Sequence, residues 1–72
     1  MTREPATSSM ITSLGYDAEG SILEIEFRNG RTYRYFDVPE FLYRGFVLAA
    51  SKGKYFTQRI DSRFRFEEVI RW

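Results

Sequence analysis

The stretch ILEIEFRNGRTYRYFDVP, residues 22–39, leaves this chain few ways to fold. Leu23, Ile25 and Phe27 alternate with polar residues, Tyr33 and Tyr35 do so again, and Asn29-Gly30 stands between the two runs, the pattern of a β-hairpin. Two registers are open. A two-residue Asn29-Gly30 loop pairs Phe27 with Thr32 and sets Tyr33 and Tyr35 beside Glu26 and Glu24. A three-residue loop of Arg28, Asn29 and Gly30, a type I turn with Gly30 left-handed, pairs Ile25 with Tyr33 and Leu23 with Tyr35. The second is preferred. It gathers Leu23, Ile25, Phe27, Tyr33 and Tyr35 on one face and sets Glu24 opposite Arg34 on the other, where opposite charges attract.

The flanking chain supplies what such a hairpin lacks. Met10, Thr12, Leu14 and Tyr16 predict a first strand over residues 9–16. The four-residue loop Asp17-Ala18-Glu19-Gly20 then pairs Leu14 with Leu23 and Met10 with Phe27. A three-stranded sheet with one apolar face needs a cover. Pro39 suits the first position of a helix and Glu40 its positive end, and Leu42, Phe46 and Ala49, flanked by Tyr43, Val47 and Ala50, form a stripe at helical spacing. Gly45 weakens that helix, which places it where the backbone approaches a neighbour, and Ser51-Lys52-Gly53 ends it with Gly53 as a left-handed terminator. Phe56, Ile60 and Phe64 suggest a second, shorter helix, although Phe64 and Phe66 fit a strand equally well. The expected fold is therefore α+β, a three-stranded antiparallel meander packed against one main helix and followed by a short helix or irregular C-terminal segment. Residues 1–8 are polar, contain Pro5 and lack periodicity, and read as a disordered tail to a single domain spanning residues 9–72.

These residues also carry a resemblance. FxxGxxYxYxxVP, here Phe27, Gly30, Tyr33, Tyr35, Val38 and Pro39, precedes AxSxG (Ala49, Ser51, Gly53), Tyr55-Phe56 and Ile60, and in this order the chain resembles the KTSC domain from about residue 9 to residue 66. Thr57 and Asp61 depart from that pattern, where Asn and a basic residue are expected. The family is named for a C-terminal extension of some bacterial lysyl-tRNA synthetases and occurs also as a free-standing domain. The resemblance implies a bacterial protein with RNA binding as its suggested role.

With 72 residues the chain makes one domain, which buries only about 60% of its unfolded surface. Thirteen aromatic residues supply the burial that disulfides or metals supply elsewhere, since Cys and His are both absent. Their absence also removes a Cys/His nucleophile, a Ser/His/Asp triad and a zinc set, so no catalytic residue, metal or cofactor is expected. Ser51-Lys52-Gly53-Lys54 spells SxxK, a motif in which Ser begins a helix. Here Ser51 is read at a helix end and the non-catalytic reading prevails. Glu67-Glu68 read as a solvated pair, and the five glycines make no phosphate loop. No run approaches the roughly 18 apolar residues of a membrane span and no apolar signal core is seen, so a soluble, cytoplasmic protein is expected, monomeric or weakly dimeric.

Charge is the informative signal. Residues 1–27 hold five acids against Arg3, whereas residues 28–65 hold nine bases against Asp37, Glu40 and Asp61, a balance of +6. Bases interleaved with rings, as in Arg31-Thr32-Tyr33-Arg34-Tyr35 and Lys52-Gly53-Lys54-Tyr55-Phe56, suit RNA, because cations neutralise phosphates and rings stack on bases. The preferred register counts against the first cluster, since it turns Tyr33 and Tyr35 inward and pairs Arg34 with Glu24. Lys52, Lys54, Arg59, Arg63 and Arg65 have few acids near them in sequence, and Arg59 and Arg63, four apart, share one face of a helix, distinct from the Phe56/Ile60/Phe64 stripe. An RNA-recognition-motif fold is excluded by length and by the placing of Arg44-Gly45-Phe46 on a helix. The function expected is a non-enzymatic RNA-binding accessory domain, with tRNA or another structured RNA as partner. The alternative is a protein-interaction module using a sheet edge or the apolar Val69, Ile70 and Trp72.

Overall fold

A computed structural model describes residues 3–6 and 8–70. Five strands, β1 (Arg3–Pro5), β2 (Ile11–Asp17), β3 (Ile22–Phe27), β4 (Thr32–Tyr35) and β5 (Phe66–Val69), form one antiparallel sheet in the order of the chain. Helix α1 (Glu40–Leu48) and helix α2 (Lys52–Tyr55), continued by a π-helical turn (Phe56–Ile60), connect β4 to β5. The α+β class holds. The sheet, however, has five strands where three were expected.

The central hairpin has the three-residue loop. Leu23 faces Tyr35, Glu24 faces Arg34 and Ile25 faces Tyr33. Phe27 accepts from the Gly30 amide at 3.0 Å and donates to the Arg31 carbonyl at 2.8 Å, which closes the turn on Gly30 at φ 89°. The first hairpin also has a four-residue loop, but it comprises residues 18–21. Leu14 therefore meets Ile25 and Tyr16 meets Leu23, two positions from the expected pairing. The reason lies in Asp17, whose carboxylate accepts from the amides of Glu19 and Gly20 while Ser21, not Gly20, takes a positive φ of 56°. A shift of two keeps the same side chains inward. Further back, an extra residue between Ile11 and Ser13 bulges β2, so that Ile11, opposite Phe27, occupies the core place expected of Met10.

The outer strands answer the two ends of the chain. Residues 3–5 are a strand, not a disordered tail; Met1, Thr2 and Thr7 lie outside the described residues. The segment is held by non-local bonds that no periodicity announces: Ala6 donates to the Thr12 carbonyl at 2.9 Å, and Arg28 donates to the carbonyls of Ser8 and Ala6 at 2.9 and 3.0 Å. Pro5 is tolerated because the strand is an edge. At the other end, β5 packs Phe66 edge-on to the Tyr33 ring and tilted against that of Tyr35, with centroids 5.8 and 5.5 Å apart, so the residues after the short helix include a regular strand.

One face of the sheet packs under the helices. Leu14, Leu23, Ile25 and Tyr35 meet Phe46 from α1, Phe56 and Ile60 from the π-helical turn, and Val38. Helix α1 starts at Glu40, one residue later than expected, with Pro39 as its extended N-cap, and stops at Leu48, leaving Ala49 extended. The Lys52 ammonium donates to the carbonyls of Val47 and Ala49 at 2.9 and 2.6 Å and so satisfies the helix end. Ser51 consequently begins α2, its hydroxyl accepting from the Lys54 amide at 3.3 Å, and Gly53 lies inside that helix rather than terminating α1. On the opposite face of the sheet, Arg3, Gly15, Glu24, Arg34 and Glu67 stand in one row across all five strands. Gly15 has no side chain to separate Arg3 from Glu24, and Glu24, only 2% exposed, is ion-paired to both Arg3 and Arg34.

Candidate nucleic-acid interface

The cationic residues sort by what already occupies them. Arg34 bonds Glu24 at 2.9 Å, and Lys52 caps α1. Arg65 lies over the Phe36 ring at 5.0 Å, its carbonyl accepting from the Phe36 amide. Arg31 is exposed beside the Tyr33 hydroxyl and the Glu68 carboxylate, which favour its charged form. Among the described residues the ion pairs are those of Arg3 and Arg34 with Glu24 and of Arg44 with Glu40, so Lys54, Arg59 and Arg63 have no carboxylate within bonding distance.

The tyrosines fall on the structural side. Tyr35 is 5% exposed and its hydroxyl is pushed up to about 12, first by burial and then by the charge of Asp61. Tyr33 is half-buried between Phe27 and Phe66, with centroids 5.7 and 5.8 Å away. Tyr35 is therefore closed to a stacking base.

Arg59 and Arg63 do come together, though not on one helix. The π-helical turn ends where the Asp61 amide bonds the Phe56 carbonyl at 2.8 Å, five residues back. Asp61 then takes φ −59°, ψ 130° and Ser62 takes φ 63°, and the Arg63 amide bonds the Ile60 carbonyl at 3.1 Å, which is a type II turn. The turn folds Arg63 back on the helix, where its guanidinium donates to the Gln58 carbonyl at 3.0 Å. Arg59 lies 6.0 Å from the centroid of the Tyr55 ring. A left-handed serine and a π-helical turn, side by side, are the kind of strained backbone found where a fold shapes a site.

Between the two arginines lies an open groove of about 410 Å3, walled by Phe41, Leu42, Gln58 and Phe64 as well. Phe41 is 70% exposed and Phe64 half-buried. Two cations and two rings thus share one concavity. Sequence reasoning found Arg59 and Arg63 but missed Phe41, Gln58 and Phe64 as their companions. Phe41, a large ring next to but outside the inward stripe of α1, was the available signal. Lys54, Arg65, Arg31 and Arg34 do not line the groove.

Among the described residues no group of three or more Asp or Glu could hold a metal, and no helix is long and apolar enough to cross a membrane.

Comparison with known proteins agrees with the geometry of the fold. A crystal structure of a KTSC domain protein from Yersinia pestis superposes with a TM-score of 0.93 at 40% identity, covering 96% of this chain and 97% of that one. An uncharacterised protein of Stutzerimonas stutzeri is 45% identical over 58 residues, 81% of this chain and 82% of the relative. A lysine–tRNA ligase of Nostoc punctiforme is 36% identical over 61 residues, 85% of this chain but 11% of the ligase. The KTSC domain profile matches residues 7–64, and the chain belongs to the KTSC domain family.

Proposed function

We propose that this domain is a non-enzymatic RNA-binding module that uses the groove between Arg59 and Arg63. One observation carries the reading: cations without carboxylate partners and accessible rings converge there, the two chemistries an RNA chain requires. The setting of relatives supports it, because a stretch similar to this chain forms 11% of a lysine–tRNA ligase, an enzyme named for acting on tRNA. The two cations that line the groove, Arg59 and Arg63, imply a contribution of about −1.4 to the log-log salt slope for a single strand.

The test is an NMR titration of the labelled protein with a pool of bacterial tRNA at several salt concentrations. Amide shifts should cluster at residues 54–64 and Phe41. Arg59→Gln/Arg63→Gln should flatten the salt slope by roughly 1.4 with the melting temperature nearly unchanged, as exposed charges contribute little to stability. Absence of shifts at low salt would overturn the reading. It would favour a protein-interaction module, for which the exposed Phe66 on the outer strand β5 and Ile70 just beyond it speak. Trp72, which the sequence adds to that apolar group, lies outside the described residues.

A further inference from the structure

We infer that the groove selects an unpaired nucleotide, its base laid on Phe41 above Phe64 and its phosphate between Arg59 and Arg63. The inference rests on the RNA-binding reading and narrows its ligand. A concavity of about 410 Å3 falls at the lower end of the roughly 300–1,000 Å3 of clefts that enclose a small molecule, which suits one nucleotide and not the convex side of a helix. In duplex RNA the base faces are stacked on one another, and the grooves present edges and hydroxyls, so an exposed ring has no face to meet. Among the described residues Phe41 is the most exposed aromatic of the large exposed hydrophobics, at 70%, and it belongs neither to the core nor to any of the ring pairs. Phe64, by contrast, packs against the core and makes a firm floor.

The cationic end is also shaped. The bond from Arg63 to the Gln58 carbonyl and the position of Arg59 near the Tyr55 ring limit how far either guanidinium can turn, while their remaining N–H groups have no carboxylate to satisfy them. A phosphate between them accepts charge-assisted hydrogen bonds from two sides. The Gln58 amide, on the same wall, is placed to meet a base edge.

The test compares a 12-nucleotide single-stranded RNA with a blunt 12-base-pair RNA duplex, both titrated into the intact protein by fluorescence anisotropy at fixed salt. The single strand should bind at least tenfold more tightly. Phe41→Ala, a substitution at an exposed position that leaves the melting temperature in place, should weaken the single strand by roughly 5- to 150-fold and leave the duplex unaffected. Equal affinity for the two RNAs, or no effect of Phe41→Ala on the single strand, would overturn this inference while leaving RNA binding intact. No binding of either RNA would overturn both.

Discussion

The hydroxyl of Tyr55 occupies the place where a side chain on Gly45 would begin: a Cβ built there would lie 2.5 Å from the phenolic oxygen and 3.2 Å from the ring carbon that bears it. The hydroxyl donates to the Leu42 carbonyl at 2.8 Å and the ring stacks on Phe46 with centroids 5.0 Å apart, so Tyr55 cannot simply swing away. This contact docks α2 on α1 and accounts for a glycine in a helix interior. Gly45→Ala should therefore destabilise by about 1–3 kcal/mol despite the roughly 1 kcal/mol that Ala gains in helix propensity. Tyr55→Phe removes the nearest atom, and urea melts of the double variant should show less loss than the sum of the two single ones. Strict additivity would refute the contact.

Tyr35 and Phe36 differ in face and so in cost. Tyr35 is buried among Phe56 and Phe66, and Tyr35→Ala should cost on the order of 3–5 kcal/mol and largely unfold a domain of this size. Phe36, half-buried under the Arg65 guanidinium, should cost clearly less. In the adjoining turn a Cβ on Gly30 would meet nothing within 4 Å, yet its φ of 89° makes Gly30→Val costly through backbone strain alone, while Thr32→Val stays nearly neutral. Thermal melts of the four variants check both statements.

Glu24 links stability to acid. Burial works against its charged form, but the hydrogen bonds and charges of Arg34 and Arg3 outweigh burial and hold the carboxyl below its ordinary 4.5. A folded-state pKa below the unfolded one means stabilisation that is complete above the unfolded value and is lost as pH falls through the folded one. Urea midpoints followed from pH 7 to pH 3 should fall less steeply for Glu24→Gln than for the wild type, and the variant should already be weaker at pH 7. Parallel acid limbs would remove Glu24 from the account.

Tyr35 does the reverse in alkali. With its hydroxyl raised to about 12, its contribution is complete below pH 10 and is lost as pH rises from 10 toward 12. Tyr35→Phe should keep its midpoint further into that window, as read by circular dichroism.

Ser51 caps a helix, and that is its measurable role. Ser51→Ala should lower stability by about 1 kcal/mol through loss of the bond from the Lys54 amide, and Ser51→Asp should retain most of it. The serine does begin a helix with Lys54 one turn in, contrary to the expectation that set the SxxK pattern aside. Its hydroxyl is nevertheless exposed and used as a cap. Labelling of Ser51 by a fluorophosphonate probe would reverse this assignment.

What could be read in the linear sequence was short-range. The alternation around Asn29-Gly30 settles the β3–β4 register, because one slip of a strand reverses every side chain and only one register gathers Leu23, Ile25, Tyr33 and Tyr35. Pro39 marks the start of α1 through its fixed φ, and Gly45 betrays a close approach because no helix interior favours glycine without cause. The rest depends on partners distant along the chain. Arg3–Pro5 carries no strand signal of its own and becomes a strand because the free edge of β2 and the carboxylate of Glu24 are there to receive it. Phe66–Val69 fits either of two structures until Tyr33 and Tyr35 offer rings to pack against. The groove is the furthest from legible: Phe41 lines the same concavity as Arg59 and Arg63 only because α1 docks beside α2 and a left-handed Ser62 folds the chain back. Local propensity weighs neighbours in sequence, whereas these contacts rest on loop closure and packing, whose free energy exists only once the elements have docked.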